Sequence, residues 1–257
     1  MTAPILVTGG TGMLGTRVVQ RLAERGSQVR VLSRRARASG ENVEYVAGDL
    51  AKGTGLDEAV ACVDVIVHCA SAQRGDVAAT RNLMTAAAAG GRRPHLVFIS
   101  IVGVEGVPFG YFRAKLAAER VVEGSGLPWT ILRATQFYDF ILSGARTLTR
   151  FPIVPVPKEF RCQAIDVQEV ADRLVQLAIS PPAGRVPDIG GPEQSSWEAM
   201  IRQYLRATHR RRLVVPLPLP GTRSIRAGGL TVSGQSADAD GTAGGLTWEQ
   251  FLAGKLA

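Results

Sequence analysis

Ile5-Leu6-Val7-Thr8-Gly9-Gly10-Thr11-Gly12-Met13-Leu14-Gly15 decides how this 257-residue chain is read. A short apolar run enters a glycine cluster, and an amphipathic stretch from Met13 to Ala23 leaves it. Strand, glycine turn and helix in that order are the setting that a dinucleotide-binding fingerprint requires. Glycine takes positive φ readily and lets the backbone close on a pyrophosphate with no Cβ between them. The N–H groups at the helix start then face the anion, and the helix dipole adds to the attraction. Two spacings overlap. Gly10, Gly12 and Gly15 satisfy G-x-G-x-x-G; Gly9, Gly12 and Gly15, behind Thr8, satisfy T-G-x-x-G-x-x-G. Gly9, Thr11, Gly12, Met13, Leu14 and Gly15 are therefore the expected cofactor contacts. The plainer alternative is an ordinary glycine turn between strand and helix.

Outward from this turn, strands alternate with helices. Val29–Ser33, Val43–Val46, Val63–Cys69, His95–Ile101 and Trp129–Arg133 are nearly continuous apolar or β-branched runs, as strands buried on both faces are. Helical periodicity fills Thr16–Arg25, Val77–Ala89 and Phe112–Glu123, with Gly26, Gly90 and Gly124 as stops. The expected class is α/β, a doubly wound parallel sheet of the Rossmann-like kind. After Arg133 the rhythm changes. Phe151–Pro157 is punctuated by prolines and excludes a regular helix, while helices are expected at Val167–Ile179, Ser196–Arg206 and Leu246–Leu256. Leu217–Gly244 reads as loop or poorly ordered connection. Residues 1–135 are expected to form the nucleotide-binding core, and 136–257 to complete it and add a small C-terminal substrate lobe.

The end of the second strand selects the dinucleotide. An NAD site places an acid there for the ribose 2′-hydroxyl. This chain has Ser33-Arg34-Arg35, and two guanidinium groups suit a 2′-phosphate, so NADP(H) is the expected cofactor. Solvated surface charge is the alternative for those arginines. Asp49, in Gly48-Asp49-Leu50, either accepts from an adenine amino group or caps the next helix; both readings stand. Cys69-Ala70-Ser71 ends the fourth strand, where small residues allow close approach to a ribose or simply tight packing.

Tyr111-Phe-Arg-Ala-Lys115 carries the catalytic expectation. On a helix the two side chains share a face. A nearby cation lowers a phenol's pKa and lets it exchange a proton near neutrality during hydride transfer, while the lysine also holds ribose hydroxyls. A surface Tyr and Lys on an amphipathic helix is the alternative. Ser100, ending the fifth strand, is a candidate to polarise a substrate carbonyl or to satisfy local backbone. Thr135 and Phe137, after the sixth strand, are expected near the nicotinamide. Tyr138 and Phe140 form an aromatic cluster read more readily as core than as pocket. Asn82 is expected to anchor its helix or a water behind Lys115, without a direct role in the chemistry. His68 and His95 lie in apolar strands and read as satisfied core residues.

Composition narrows the classes. Cys62, Cys69 and Cys162 form no C-x-x-C or paired framework, and no cluster suggests a metal. No run is long enough to span a bilayer and no leader is apparent, so a cytoplasmic protein without membrane partners is expected. The net charge of +8 is almost all arginine, with a cluster at Arg210-Arg211-Arg212, and no nucleic-acid signature accompanies it.

Thr8–Gly15, Gly48-Asp-Leu50, Tyr111-x-x-x-Lys115, Leu132-Arg-Ala-Thr-Gln-Phe137 and Ile165-Asp-Val-x-x-Val-Ala171 together resemble the atypical short-chain dehydrogenase/reductases of the NmrA-like type. The similarity is good over about the first 180 residues. It implies a Rossmann-like fold, NAD(P)(H) binding, Gly9, Gly12 and Gly15 at the pyrophosphate, and Tyr111 with Lys115 as the active pair. Many regulators of that group lack the tyrosine that this chain keeps. The expectation is an NADP(H)-dependent oxidoreductase for a small carbonyl- or quinone-like molecule, with a dinucleotide-sensing protein as the alternative and a sugar-nucleotide enzyme behind both.

Overall fold

A computed structural model describes residues 3–71, 75–232 and 245–256. In chain order come β1 (Ile5–Thr8), α1 (Met13–Glu24), β2 (Val29–Ser33), β3 (Val43–Ala47), α2 (Leu56–Val60), β4 (Val65–His68) and α3 (Asp76–Ala89). Next are β5 (His95–Ile101), α4 (Gly110–Glu123), β6 (Trp129–Ala134), α5 (Tyr138–Leu148), β7 (Ile153–Pro157), β8 (Arg161–Cys162) and α6 (Val167–Ala178). Last are β9 (Gly184–Arg185), β10 (Ser195–Ser196), α7 (Trp197–Ala207), β11 (Leu213–Leu217), α8 (Arg223–Arg226) and α9 (Trp248–Leu256).

The main sheet has seven strands in the order β3-β2-β1-β4-β5-β6-β9. The pairings whose register is described are parallel, Ile5 lying between Val29 and Val65. The chain turns back on itself between β1 and β4. In such sheets ligands bind at the carboxyl ends flanking that switch point, which here are Gly9 and Cys69. The expected doubly wound sheet is present, and all six expected strands are in it. Alternating burial is absent from β1 and β5 because both faces are covered.

Compactness divides the chain into two interleaved units rather than at a single cut after residue 135. The first holds residues 1–100, 109–133 and 170–187; the second holds 101–108, 134–169 and 188–257. The first unit's core includes Leu6, Leu32, Ile66, Leu83, Leu96, Phe98 and Ile131. The second packs Tyr138, Ile141, Met200, Tyr204, Trp248 and Phe251, where the Tyr138 ring lies 5.5 Å from Trp248 and 5.2 Å from Phe251.

The structure departs from expectation mostly after β6. Short α2 and the eleven-residue α5 appear where no helix was expected. Helix α5 begins on aromatic residues, whose weak helix propensity hid it until packing against α7 and α9 favoured it. Phe151–Pro157 contains β7, which pairs in parallel with β11. Prolines are tolerated there because a two-stranded pair leaves every strand an edge. Of the expected loop 217–244, Leu217 closes β11 and Arg223–Arg226 forms α8, while residues 233–244 lie outside the described residues.

Candidate functional site

The glycines of the first turn divide by what surrounds them. Gly9 has φ +70, and a Cβ there would lie 2.6 Å from the Ala70 nitrogen at the end of β4. A Cβ on Gly15 would lie 2.1 Å from the Gly9 carbonyl oxygen. The protein's own backbone demands glycine at both. Gly12 is different. It is exposed at the head of α1, and an added Cβ would meet only the Gly9 oxygen, at 3.2 Å. A methyl there crowds one backbone oxygen and meets no core side chain within 4 Å. No side chain caps α1 and its first turn holds no acid, so the dipole and N–H groups face outward uncompensated. An anionic pyrophosphate fits this cradle. Thr11 and Met13 are exposed beside it, while Leu14 is buried.

Beyond β2, Thr11, Ser33, Arg34, Arg35 and Arg37 line a cleft of about 510 Å³ that contains no acid. The Ser33 hydroxyl donates to the Arg35 carbonyl at 2.9 Å and accepts from the Arg35 N–H at 3.3 Å, a tight local turn that fixes where both arginines emerge. This donor set suits a phosphate. The Asp49 carboxylate accepts from the Ala51 and Lys52 N–H groups through one oxygen and caps a turn ahead of α2. Asn82 anchors α3, donating to the Leu50 carbonyl at 2.8 Å.

At the carboxyl ends of β4 and β5 the buried groups form a chain. His68 Nδ1 is 2.6 Å from the Thr8 hydroxyl, and its Nε2 is 3.1 Å from the Thr80 hydroxyl. Thr80 donates its only hydroxyl proton to the Asp76 carbonyl at 2.8 Å. The His68 Nε2–H must therefore donate to Thr80, and Thr8 donates to Nδ1. The ring is neutral: burial, with the Lys115 charge adding to it, holds its pKa down at about 3. Burial pushes the neighbouring Cys69 thiol up to about 12, against a pull from Lys115 in the other direction. His95 is likewise buried, 2.8 Å from the Thr130 hydroxyl, and burial lowers its pKa. Both histidines are the satisfied core residues expected.

Tyr111 and Lys115 share α4 but not an environment. Tyr111 is 37% exposed and its hydroxyl lies 3.3 Å from that of Ser71, just past β4. Lys115 is 2% exposed. Its ammonium donates to the Ile99 carbonyl at 3.3 Å, pairs with the Asp76 carboxylate at 3.2 Å and sits 4.7 Å from the Phe98 ring centre. Asp76 is the residue that sequence reading missed, because the expected helix begins at Val77 and leaves it outside. A lysine at an otherwise apolar helix position was the available signal, since a buried ammonium needs an acid. Ser100 is buried at the end of β5, and its hydroxyl has no hydrogen-bond partner among the described residues.

Two expected contacts belong to the second unit. Thr135 is buried and donates to the Gln163 carbonyl at 2.5 Å. Phe137 is half-buried and precedes α5. Tyr138 is core, as the aromatic reading preferred, and burial together with Glu193, Glu169 and Asp166 raises its pKa. Phe140 is exposed, its ring centre 5.9 Å from that of Trp197 in an edge-on arrangement.

Comparison with known proteins gives this geometry a family. A family model described as NAD(P)H-binding matches residues 9–181, more than half of the chain. The (4-alkanoyl-5-oxo-2,5-dihydrofuran-3-yl)methyl phosphate reductase of Streptomyces griseus is 33% identical over 213 residues, 80% of this chain and 74% of its own. The chloroplastic divinyl chlorophyllide a 8-vinyl-reductase of Cucumis sativus is 28% identical over 73% of this chain, which spans 52% of that relative. An NADPH-dependent quinone oxidoreductase from Escherichia coli, solved with NADPH, superposes with a TM-score of 0.83 at 16% identity over 98% of this chain and 100% of its own. At that identity the superposition speaks for the fold alone.

Proposed function

The chain belongs to the NAD(P)H-binding family, and from that membership we propose that it is an NADP(H)-dependent oxidoreductase for a small carbonyl- or quinone-like molecule. The observation that carries this reading is the exposed Tyr111 phenol, 3.3 Å from Ser71 at the carboxyl edge of the sheet that holds the glycine cradle. The acid-free arginine cleft after β2 supports NADP(H) over NAD(H). The name of the S. griseus relative, a reductase of an oxo-bearing furan ring, supports a compact carbonyl substrate.

The dinucleotide, when bound, supplies or receives a hydride. Tyr111 gives the balancing proton to the substrate oxygen in reduction and takes it back in oxidation, so the carbonyl gains one hydride and one proton. Ser100 offers an unpartnered hydroxyl to polarise that oxygen. Lys115 acts as a fixed cation behind the wall. Two of its three N–H groups are engaged by Ile99 and Asp76, and the third remains for a ribose hydroxyl.

The withdrawn lysine also favours a second reading, a protein that senses the dinucleotide without turning it over. One experiment separates the two. Wild type and Tyr111→Phe are titrated with NADPH and assayed against a panel of carbonyls and quinones. The oxidoreductase reading expects a roughly 10²–10⁴-fold loss of turnover in the variant with NADPH affinity unchanged. Equal turnover in the two proteins removes Tyr111 from the chemistry. NADPH binding by wild type with no turnover across the panel establishes the sensor.

A further inference from the structure

The arginine cluster that the proposed chemistry leaves unused is part of a larger feature of the second unit. Arg202 and Arg206 project from one side of α7, Arg210 and Arg211 follow in the turn, and Arg212 heads β11. Together with His209, Pro152 and Leu213 they line a cavity of about 820 Å³ that contains no acidic side chain. Arg202 is paired with Glu198 at 2.9 Å, and Arg212 donates to the Thr149 carbonyl at 3.1 Å. Arg206, Arg210 and Arg211 have no acidic partner among the described residues. The turn that carries them is closed by its own backbone. His209 takes φ +52, its N–H reaches the Arg206 carbonyl at 3.1 Å, and the Arg210 N–H reaches that of Leu205 at 2.9 Å.

The cavity runs directly into an apolar face. Leu213 pairs with Ile153, Val215 with Pro155 and Leu217 with Pro157. The intervening Val214 and Val154 are buried, so this pairing turns one side of the β7–β11 ribbon outward. Phe151, Ile153 and Leu213 stand 61%, 55% and 62% exposed. Scattered exposed leucines are ordinary; a ribbon of them adjoining unpaired arginines is not.

We propose that this face docks on an anionic lipid bilayer surface. A bilayer interface offers anionic headgroups for the arginines and, just beneath, acyl chains for Phe151, Ile153 and Leu213. A free phosphate has no use for the apolar ribbon, and a nucleic acid would place it against a charged backbone. Sequence reading set membranes aside because no run spans one, and among the described residues no helix is long and apolar enough to do so. A peripheral face needs no spanning run. The proposal does not rest on the oxidoreductase reading.

The test is co-sedimentation of the full chain with phosphatidylcholine vesicles, with and without phosphatidylglycerol, over a salt series. Wild type should partition at least about tenfold better onto anionic vesicles, since each basic residue near such a surface contributes roughly fivefold. The Arg206→Glu/Arg210→Glu/Arg211→Glu variant should lose this preference. The Ile153→Ser/Leu213→Ser variant should bind anionic vesicles at low salt and release earlier than wild type as salt rises. Melting temperatures within a few degrees of wild type show that both variants fold. Equal partition onto both vesicle types overturns the proposal. So does indifference to the apolar pair, or capture of single-stranded RNA or free polyphosphate with no vesicle binding.

Discussion

The two units bury different kinds of polar residue. The first encloses Asp76, Lys115, Glu119 and Arg133 together with His68 and His95; among the described residues the buried polar groups of the second are neutral, Thr135, Thr149, Gln163 and Thr222. Burial there pushes the Cys162 thiol up to about 12 and raises the Tyr138 phenol as well. The second unit's arginines stand outside instead. Ion pairs are a poor way to stabilise a core, because desolvation offsets most of their attraction. Keeping them in one unit and not the other fits a division of labour in which the first unit holds charge in fixed positions beneath the carboxyl edge of its sheet. The second holds charge for contact with something outside the chain.

The largest test of that contrast removes one partner of a buried pair. Asp76→Ala leaves the Lys115 ammonium enclosed and unpaired, and should cost about 3–5 kcal/mol in urea unfolding. Glu119→Ala, which strips Arg133 of carboxylate contacts at 2.6 and 2.8 Å, should cost a similar amount. The double variant Asp76→Leu/Lys115→Met should recover most of the first loss, since an apolar pair of similar volume needs no compensation. A loss below about 1 kcal/mol for Asp76→Ala means that the lysine simply turns to water, as an exposed pair would allow, and the contrast between the units falls.

Acid comes next. A histidine whose folded pKa lies below its unfolded value binds fewer protons in the native state. Its contribution to stability is complete above the unfolded value and declines as pH falls below it. For His68 the window runs from about 6.5 down to about 3, and His95 shifts the same way. Each should therefore remove up to about 1.4 kcal/mol per pH unit below 6.5. Both belong to the first unit, so a fluorescence or exchange probe placed there should register acid loosening between pH 6.5 and 5 before one placed in the second unit. Simultaneous loss makes the two units one cooperative body in acid.

The sheet was legible because its strands are buried on both faces and read as unbroken apolar runs between helical periods. Glycine identity was legible too, though only structure separates Gly9 and Gly15, which the backbone requires, from Gly12, which faces outward. The direction of a side chain was not legible. The spacing of Tyr111 and Lys115 is right for a shared face, yet the long lysine stem follows the path toward Asp76, and no local pattern encodes a pairing between residues on separate helices. In the second unit aromatic and proline residues defeat local propensity, so α5 and the β7–β11 ribbon emerge only from packing.

The smallest effect probes the second unit where its backbone is strained. His209 sits at φ +52, a region that costs an L-residue roughly 1 kcal/mol and costs glycine little. It holds that conformation because the turn closing α7 satisfies two carbonyls through the His209 and Arg210 N–H groups. His209→Gly keeps both bonds and removes the strain, against a modest entropic cost in the unfolded chain. The net expectation is stabilisation by up to about 0.5 kcal/mol, or a melting temperature higher by about 1–2 °C. No such gain is available where the first unit bends through Gly9, already a glycine. A lower melting temperature for His209→Gly would show that the His209 side chain, rather than the turn, fixes this corner; the arginines would then owe their placement to a contact and not to the backbone.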